Sequence, residues 1–236
     1  MKVIILAGGY GTRISEETDT KPKPMVLIDD KPIIWHVMSI YAAHGIKDFI
    51  IATGYKGEII HDWVKQQFGE WNVQAVDTGL DTQTGGRIKL AAEKFDDETF
   101  LVTYGDGVGN VNIAELILFH QNHGKLATVT AVRPPARFGV LHSENGLVID
   151  FGEKNQADSG WINGGFFVLN RKSLDSIFDN NEPFEAYALP RLVESKELMA
   201  YHHNGFWKPM DTLREKNELS QMAGDVIPPW LAGFKI

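Results

Sequence analysis

Near the start of this 236-residue chain, Gly8-Gly9-Tyr10-Gly11-Thr12-Arg13 follows a short apolar run directly. Glycines let a backbone approach a ligand closely and can turn its N–H groups into an anion nest. Arg13 adds a planar fork suited to two phosphate oxygens at once. Lys21-Pro22-Lys23-Pro24 comes next. Its prolines stiffen the segment, so a lysine there could be held against a phosphate. The turn is neither a P-loop nor a dinucleotide fingerprint, and taken alone it is equally a plain Gly-rich loop.

Two aspartates could add a metal. Asp106, between Gly105 and Gly107, sits just past a predicted strand, where a carboxylate is well placed to hold Mg²⁺; it also suits a simple turn. Asp211 could be a second ligand, or the N-cap of the helix that follows it. They are 105 residues apart (211 − 106), so only the fold can pair them. Glu153, Lys154, Asn163 and Gly164 could meet sugar hydroxyls and a sugar phosphate, although an ordinary polar loop explains each as well.

These residues need a frame. The apolar residues 3–7 read as a strand buried on both faces, as in a parallel sheet. Further strands are predicted at 49–52, 73–76, 99–104 and 126–132, with helices at 32–44, 59–68, 87–94 and 113–122 between them. Gly45 is a candidate helix C-cap. This alternation predicts an α/β fold with a mostly parallel sheet and helices on both faces. Ligands of such sheets bind outside the carboxyl ends of the strands, which would gather residues 8–13, 53–56 and 105–107 around one crevice. The remainder is richer in strands, at 140–141, 148–151, 165–169 and 198–202, with helices at 172–178, 183–195 and 212–222. No linker divides the chain, so we expect a single domain over residues 1–236.

Composition narrows the partners. With 23 Lys and Arg against 31 Asp and Glu, the formal charge is −8, which disfavours a nucleic-acid binder; a small anion can still be held by local cations and backbone N–H groups. There is no cysteine, so disulfides, thiolate catalysis and Cys-rich zinc sites are excluded. No apolar run approaches membrane-spanning length, and the one at the N-terminus is too short for a signal peptide. The expectation is a cytoplasmic protein acting on small molecules, away from membranes. Trp35 and Trp63 read as packing residues, His202-His203 lacks a third metal ligand, and Pro228-Pro229-Trp230 reads as a packed tail.

Taken together, Leu6-Ala7-Gly8-Gly9-Tyr10-Gly11-Thr12-Arg13, Lys21-Pro22-Lys23-Pro24-Met25 and Lys31-Pro32-Ile33 resemble the signature of the sugar-1-phosphate nucleotidyltransferase family. Within it, Gly54-Tyr55-Lys56-Gly57, Val76-Asp77-Thr78-Gly79, Thr84-Gly85-Gly86-Arg87, Thr103-Tyr104-Gly105-Asp106-Gly107-Val108, Arg137-Phe138-Gly139, Ile162-Asn163-Gly164-Gly165 and Trp207-Lys208-Pro209-Met210-Asp211-Thr212 are most similar to the members that join CTP to glucose 1-phosphate.

The resemblance implies a Rossmann-like, mostly parallel mixed sheet flanked by helices, with a small β-rich sugar-binding part; the nucleotide-binding half would span about residues 1–132 and the sugar-phosphate-binding half about 133–236. It implies that Leu6, Ala7, Gly8, Gly9, Gly11 and Thr12 hold the base and triphosphate, with Asp106 beside them. Arg13 would bind the departing pyrophosphate and Lys23 the α-phosphate. Thr84, Gly86 and Arg87 match the stretch that helps recognise the base. Asp106 and Asp211 match the ligands of Mg²⁺. Tyr104, Glu153, Lys154, Asn163, Gly164 and Trp207 match the sugar-phosphate pocket, and a homo-oligomer is implied. The chain departs from the family twice. An extra segment expected before Asp77-Thr78-Gly79 is absent, since only three steps separate Phe68 from Trp71. Asn155 stands where proline is usual, leaving the loop after Lys154 less rigid.

A sugar phosphate is already ionised near neutral pH, so the chemistry needs no strong general base. It needs two polyanions brought together, which Arg13, Lys23, Lys154 and Mg²⁺ could do by screening their repulsion. UTP or dTTP, or another sugar phosphate, would fit the same chemistry. A non-catalytic sensor would be expected to lose Arg13, Lys23 or one aspartate, and all four are present. The Asp-x-Asp motif of a nucleotide-sugar glycosyltransferase is not evident at Asp106-Gly107-Val108.

Overall fold

The computed structural model describes residues 1–66, 68–134, 140–144, 147–152, 160–177, 181–224 and 226–233. Its frame is a mixed sheet built on β1 (Lys2–Ala7). β1 pairs in parallel with β4 (Asp48–Thr53) on one side and β6 (Thr99–Tyr104) on the other, and β4 pairs in parallel with β5 (Asn72–Asp77). The short β2 (Leu27–Ile28) and β3 (Lys31–Pro32) form a separate hairpin. The helices of this half are α1 (Ser15–Thr18), α2 (Ile33–Ala42), α3 (Gly57–Trp63), α4 (Thr84–Ala92) and α5 (Ile113–His123).

The uninterrupted apolar run of β1 follows from its central place. Successive strand side chains point to opposite faces. Val3 and Ile5 therefore enter one core with α2, Phe49 and Ile51, while Ile4 and Leu6 enter a second with Ile50, Val102 and α4. Helix α2 ends as its sequence suggests. Gly45 adopts φ 79°, Ile46 N–H donates to the Tyr41 carbonyl and Gly45 N–H to that of Ala42, a Schellman closure.

The second half corrects the simple alternation. β7 (Gly107–Gly109) follows β6, and β8 (Ala127–Val132) follows α5, but β8 does not neighbour β6. Between them lies β12 (Phe167–Asn170), antiparallel to both. β9 (Val140–Glu144) and β10 (Leu147–Gly152) make a separate antiparallel pair, and β11 (Ile162–Asn163) pairs antiparallel with the far end of β8, on the same side as β12. After α6 (Lys172–Ile177), a single π-helical turn at Phe184–Ala188 leads into α7 (Leu189–Glu194). β13 (Leu198–His203) then pairs in parallel with β8. Three predicted helices differ most: α3 ends at Trp63 rather than reaching 68, α4 begins at Thr84, so Gly85 and Gly86 lie in its first turn, and the helix expected at 183–195 is the π-turn followed by α7. No helix among the described residues is long and apolar enough to cross a membrane.

β14 (Trp207–Pro209) pairs antiparallel with β7, and α8 (Leu213–Ala223) follows it. The N-cap of α8 is Thr212, not Asp211. Thr212 Oγ1 accepts from Glu215 N–H and the Glu215 carboxylate accepts from Thr212 N–H, a reciprocal capping box. Asp211 is thereby left free to point elsewhere. Trp230 is fully buried against His36 and Phe206, so the tail packs into the core as expected. Thr212→Ala should cost about 1 kcal/mol, read as a lower urea midpoint at unchanged m-value.

Candidate functional site

Two cavities open at the carboxyl ends of the parallel strands and share the wall formed by Arg13, Tyr104 and Asp106. The larger, about 540 Å³, is lined by residues 6–13, Lys23 and Pro24, residues 80–84, Arg87 and residues 104–106. The smaller, about 320 Å³, is lined by Arg13, Tyr104, Asp106, Asn163, Gly164, Trp207 and Asp211, among others. Most of the residues singled out in the sequence thus meet in one place. Glu153, Lys154 and the Arg137-Phe138-Gly139 motif lie outside the described residues.

The floor of the shared wall is an ionic cluster. Lys23 is 7% exposed. Its ammonium donates to Asp106 Oδ2 at 2.6 Å and to Asp211 Oδ1 at 2.7 Å, while Arg13 Nη1 donates to Asp211 Oδ2 at 2.7 Å. Burial works against the charged amine, but Asp106 and Asp211 outweigh it and raise the Lys23 pKa above its ordinary value. Any stability that comes from this shift is present below the unfolded lysine pKa and is lost only as pH climbs through the raised one.

Local structure explains how the cluster forms. Extended Pro22 enters a 3-10 turn at Lys23–Met25, and Pro24 packs beneath Gly105. β7 and β14 run together with Pro209 opposite Gly107, and Met210 N–H donates to the Asp106 carbonyl at 2.8 Å. That pairing brings the two distant aspartates to one cation.

Arg87 lines the larger cavity, but its guanidinium faces the protein. It donates to the carbonyls of Thr53, Gly79, Leu80 and Gly8 and to Thr78 Oγ1, at 2.6–3.1 Å. It ties the glycine turn to the ends of β4 and β5. Burial pulls its pKa below the usual arginine value. Gly8 is required by this clamp, because a Cβ there would stand 2.2 Å from the guanidinium carbon. Gly11 supplies a left-handed turn at φ 66°. Gly86 lines neither cavity; a Cβ there would crowd Thr82 and Asn181 at 2.9 Å.

Residues 53–56 stand behind the glycine turn rather than in the crevice. Tyr55 N–H donates to the Gly8 carbonyl, the Tyr55 ring lies 5.1 Å from that of Tyr10, and Lys56 donates to the carbonyls of Thr18 and Asp19. On the other side, Trp207 Nε1 donates to the Gly164 carbonyl at 2.9 Å and Asn163 Nδ2 to the Tyr104 hydroxyl at 3.0 Å. Glu185 accepts from Thr84 and from Tyr104. In sequence it is one acid within a predicted helix, and no local pattern sets it apart.

Comparison with known proteins shows the family. The family model described as nucleotidyl transferase matches residues 2–215. The chain belongs to the nucleotidyl transferase family. The glucose-1-phosphate cytidylyltransferase of Salmonella typhi is 48% identical, with 98% of each chain covered. The mannose-1-phosphate guanyltransferase of Schizosaccharomyces pombe is 34% identical over 93% of this chain and 63% of its own length. The solved structure of HddC from Yersinia pseudotuberculosis shares the fold, with a TM-score of 0.72 at 24% identity over 93% of this chain and 98% of that one.

As a member of this family the protein is a nucleotidyltransferase, and its donor set suits a divalent metal. Asp106 and Asp211 offer hard carboxylate oxygens already converging on one positive charge. No group of three or more metal-binding side chains exists among the described residues. Mg²⁺ commonly takes only one or two carboxylates and fills its remaining positions with phosphates and water.

Removing the Arg87 clamp by Arg87→Met should lower unfolding stability by about 2–4 kcal/mol, because several charge-assisted bonds go at once. Urea titration of the variant checks this, and its nucleotide affinity should fall in parallel as the glycine turn loosens.

Proposed function

We propose that the protein transfers the cytidylyl group of CTP to glucose 1-phosphate, giving CDP-glucose and pyrophosphate. The substrate pair rests on one observation: 48% identity across 98% of both chains to a glucose-1-phosphate cytidylyltransferase. The two adjoining cavities suit the same reading, since two substrates must meet at a shared wall.

In this reading CTP lies along residues 6–13 and glucose 1-phosphate lies between Asn163, Gly164 and Trp207. The sugar phosphate enters as an anion, because a phosphomonoester loses its second proton near pH 6. One of its oxygens forms the new bond to the α-phosphorus while the bond from that phosphorus to pyrophosphate breaks. No residue has to remove a proton. Lys23, rigidly held by its turn, offers its ammonium to the α-phosphate, and the exposed Arg13 fork takes the oxygens of the departing pyrophosphate. Mg²⁺ held by Asp106 and Asp211 would neutralise phosphate charge and template the alignment.

Pyrophosphate release with glucose 1-phosphate should be fastest with CTP in a panel that includes UTP, dTTP, ATP and GTP. A faster rate with another nucleotide overturns the substrate pair and leaves the mechanism standing. Arg13→Ala should lower kcat/KM for the nucleotide by about 100-fold or more, the scale seen when one donor to transition-state charge is lost. Lys23→Ala removes the cation between the two carboxylates and leaves Arg13 on Asp211 alone. Mg²⁺ should then raise the Tm of this variant by roughly 2–4 °C more than it raises that of the wild type, equivalent to about 1 kcal/mol in a chain of this size. Equal shifts would argue against a metal at these two aspartates.

A further inference from the structure

Residues 181–185 are stitched to the start of α4. Asn181 Oδ1 accepts from Gln83 N–H at 2.6 Å, the Glu182 carbonyl from Gly85 N–H at 3.0 Å and Thr84 Oγ1 from Phe184 N–H at 2.8 Å. These bonds satisfy donors that a helix start otherwise leaves unpaired. Phe184 is fully buried, its ring 5.0 Å from that of Phe167. The π-turn that begins there is therefore fixed at both its backbone and its anchor. Such turns are rare and often sit at functional sites.

Glu185 is the next residue. It lines neither cavity, yet it bridges their walls. Its Oε2 accepts from the Thr84 hydroxyl at 2.7 Å and its Oε1 from the Tyr104 hydroxyl at 2.7 Å. The Tyr104 oxygen in turn accepts from Asn163 Nδ2 at 3.0 Å, and Asn163 Oδ1 accepts from Gly165 N–H at 2.8 Å.

The direction of this row is set at its acidic member. An ionised carboxylate only accepts, so both hydroxyl protons must point at Glu185. The Tyr104 lone pairs are then turned toward the Asn163 amide, and Gly165 fixes which way that amide faces.

From this geometry we infer that Glu185 is a positioning residue for both substrates: it orients Thr84 on the nucleotide side and, through Tyr104, Asn163 on the sugar-phosphate side. The identities of those substrates rest on the function proposed above; the orienting role does not. The two sides depend on it unequally. Thr84 keeps a second partner in Phe184 N–H, whereas the Tyr104 hydroxyl has no other carboxylate bonded to it among the described residues. Loss of Glu185 should therefore weaken the sugar phosphate more than the nucleotide.

The test is steady-state kinetics of Glu185→Ala, Glu185→Gln, Tyr104→Phe and the double variant Glu185→Ala/Tyr104→Phe. Glu185→Ala should raise KM for the sugar phosphate about tenfold, with a smaller rise for the nucleotide and kcat falling much less than kcat/KM, the pattern of lost binding rather than lost chemistry. Glu185→Gln keeps the shape but only one acceptor, so its KM should lie between those of wild type and Glu185→Ala; it also carries the test if Glu185→Ala folds poorly. If Glu185 acts through Tyr104, the double variant should be no worse for the sugar phosphate than Tyr104→Phe alone. The inference is overturned if neither Glu185 variant changes KM, or if the defects of Glu185→Ala and Tyr104→Phe multiply. The wild type is assayed with the nucleotide panel and several sugar phosphates, and the pair it uses serves for the variants. A wrong substrate pair is thus seen in the wild type, and a wrong role for Glu185 only in the variants.

Discussion

A buried ammonium held between two carboxylates organises this molecule. Lys23, Asp106 and Asp211 come from three distant stretches of chain, and each alone would be costly at its position. An amine this enclosed loses hydration that only closely placed opposite charges restore. Two aspartates converging on one point would repel each other without a cation between them. The cluster therefore holds together the Lys23–Met25 turn, the end of β6 and the segment before α8. It also leaves the protein with the charges that phosphate chemistry uses, balanced against one another in the free chain.

A second cation has the opposite job. Arg87 lies in the wall of the larger cavity, where an arginine invites assignment to a ligand. Its donors instead gather carbonyls from the glycine turn and from the ends of β4 and β5. The turn can then stay rich in glycine and open to a ligand without losing its shape. Arg13, by contrast, is largely exposed and makes one bond to Asp211, which keeps its fork available. Burial and partners, more than residue type, separate a strut from a ligand-binding group.

Much of the first half was legible because its physics is local. Strands buried on both faces read as unbroken apolar runs, and β6 matches its predicted bounds at both ends. Gly45 closes α2 where its position suggested. The second half was less legible for a definite reason. β12 enters between β6 and β8 and runs antiparallel, and nothing in a short apolar segment states which neighbours it will have or which way it will point. The same holds for α3, which stops at Trp63 although its apolar spacing continues.

For the site, the sequence by itself determined the chemical types: a glycine turn with an arginine behind it, a proline-flanked lysine and aspartates next to small or turn-forming residues. Only the tertiary structure decided that Thr212 rather than Asp211 takes the cap, that β7 and β14 bring Asp211 to Asp106, that Arg87 turns inward and that Glu185 joins Thr84 to Tyr104. The physical reason is distance along the chain. Residue type and short-range spacing fix what a group can bond to, but the partner of a buried charge across 83 or 188 residues is chosen by sheet register and packing, which no local pattern records.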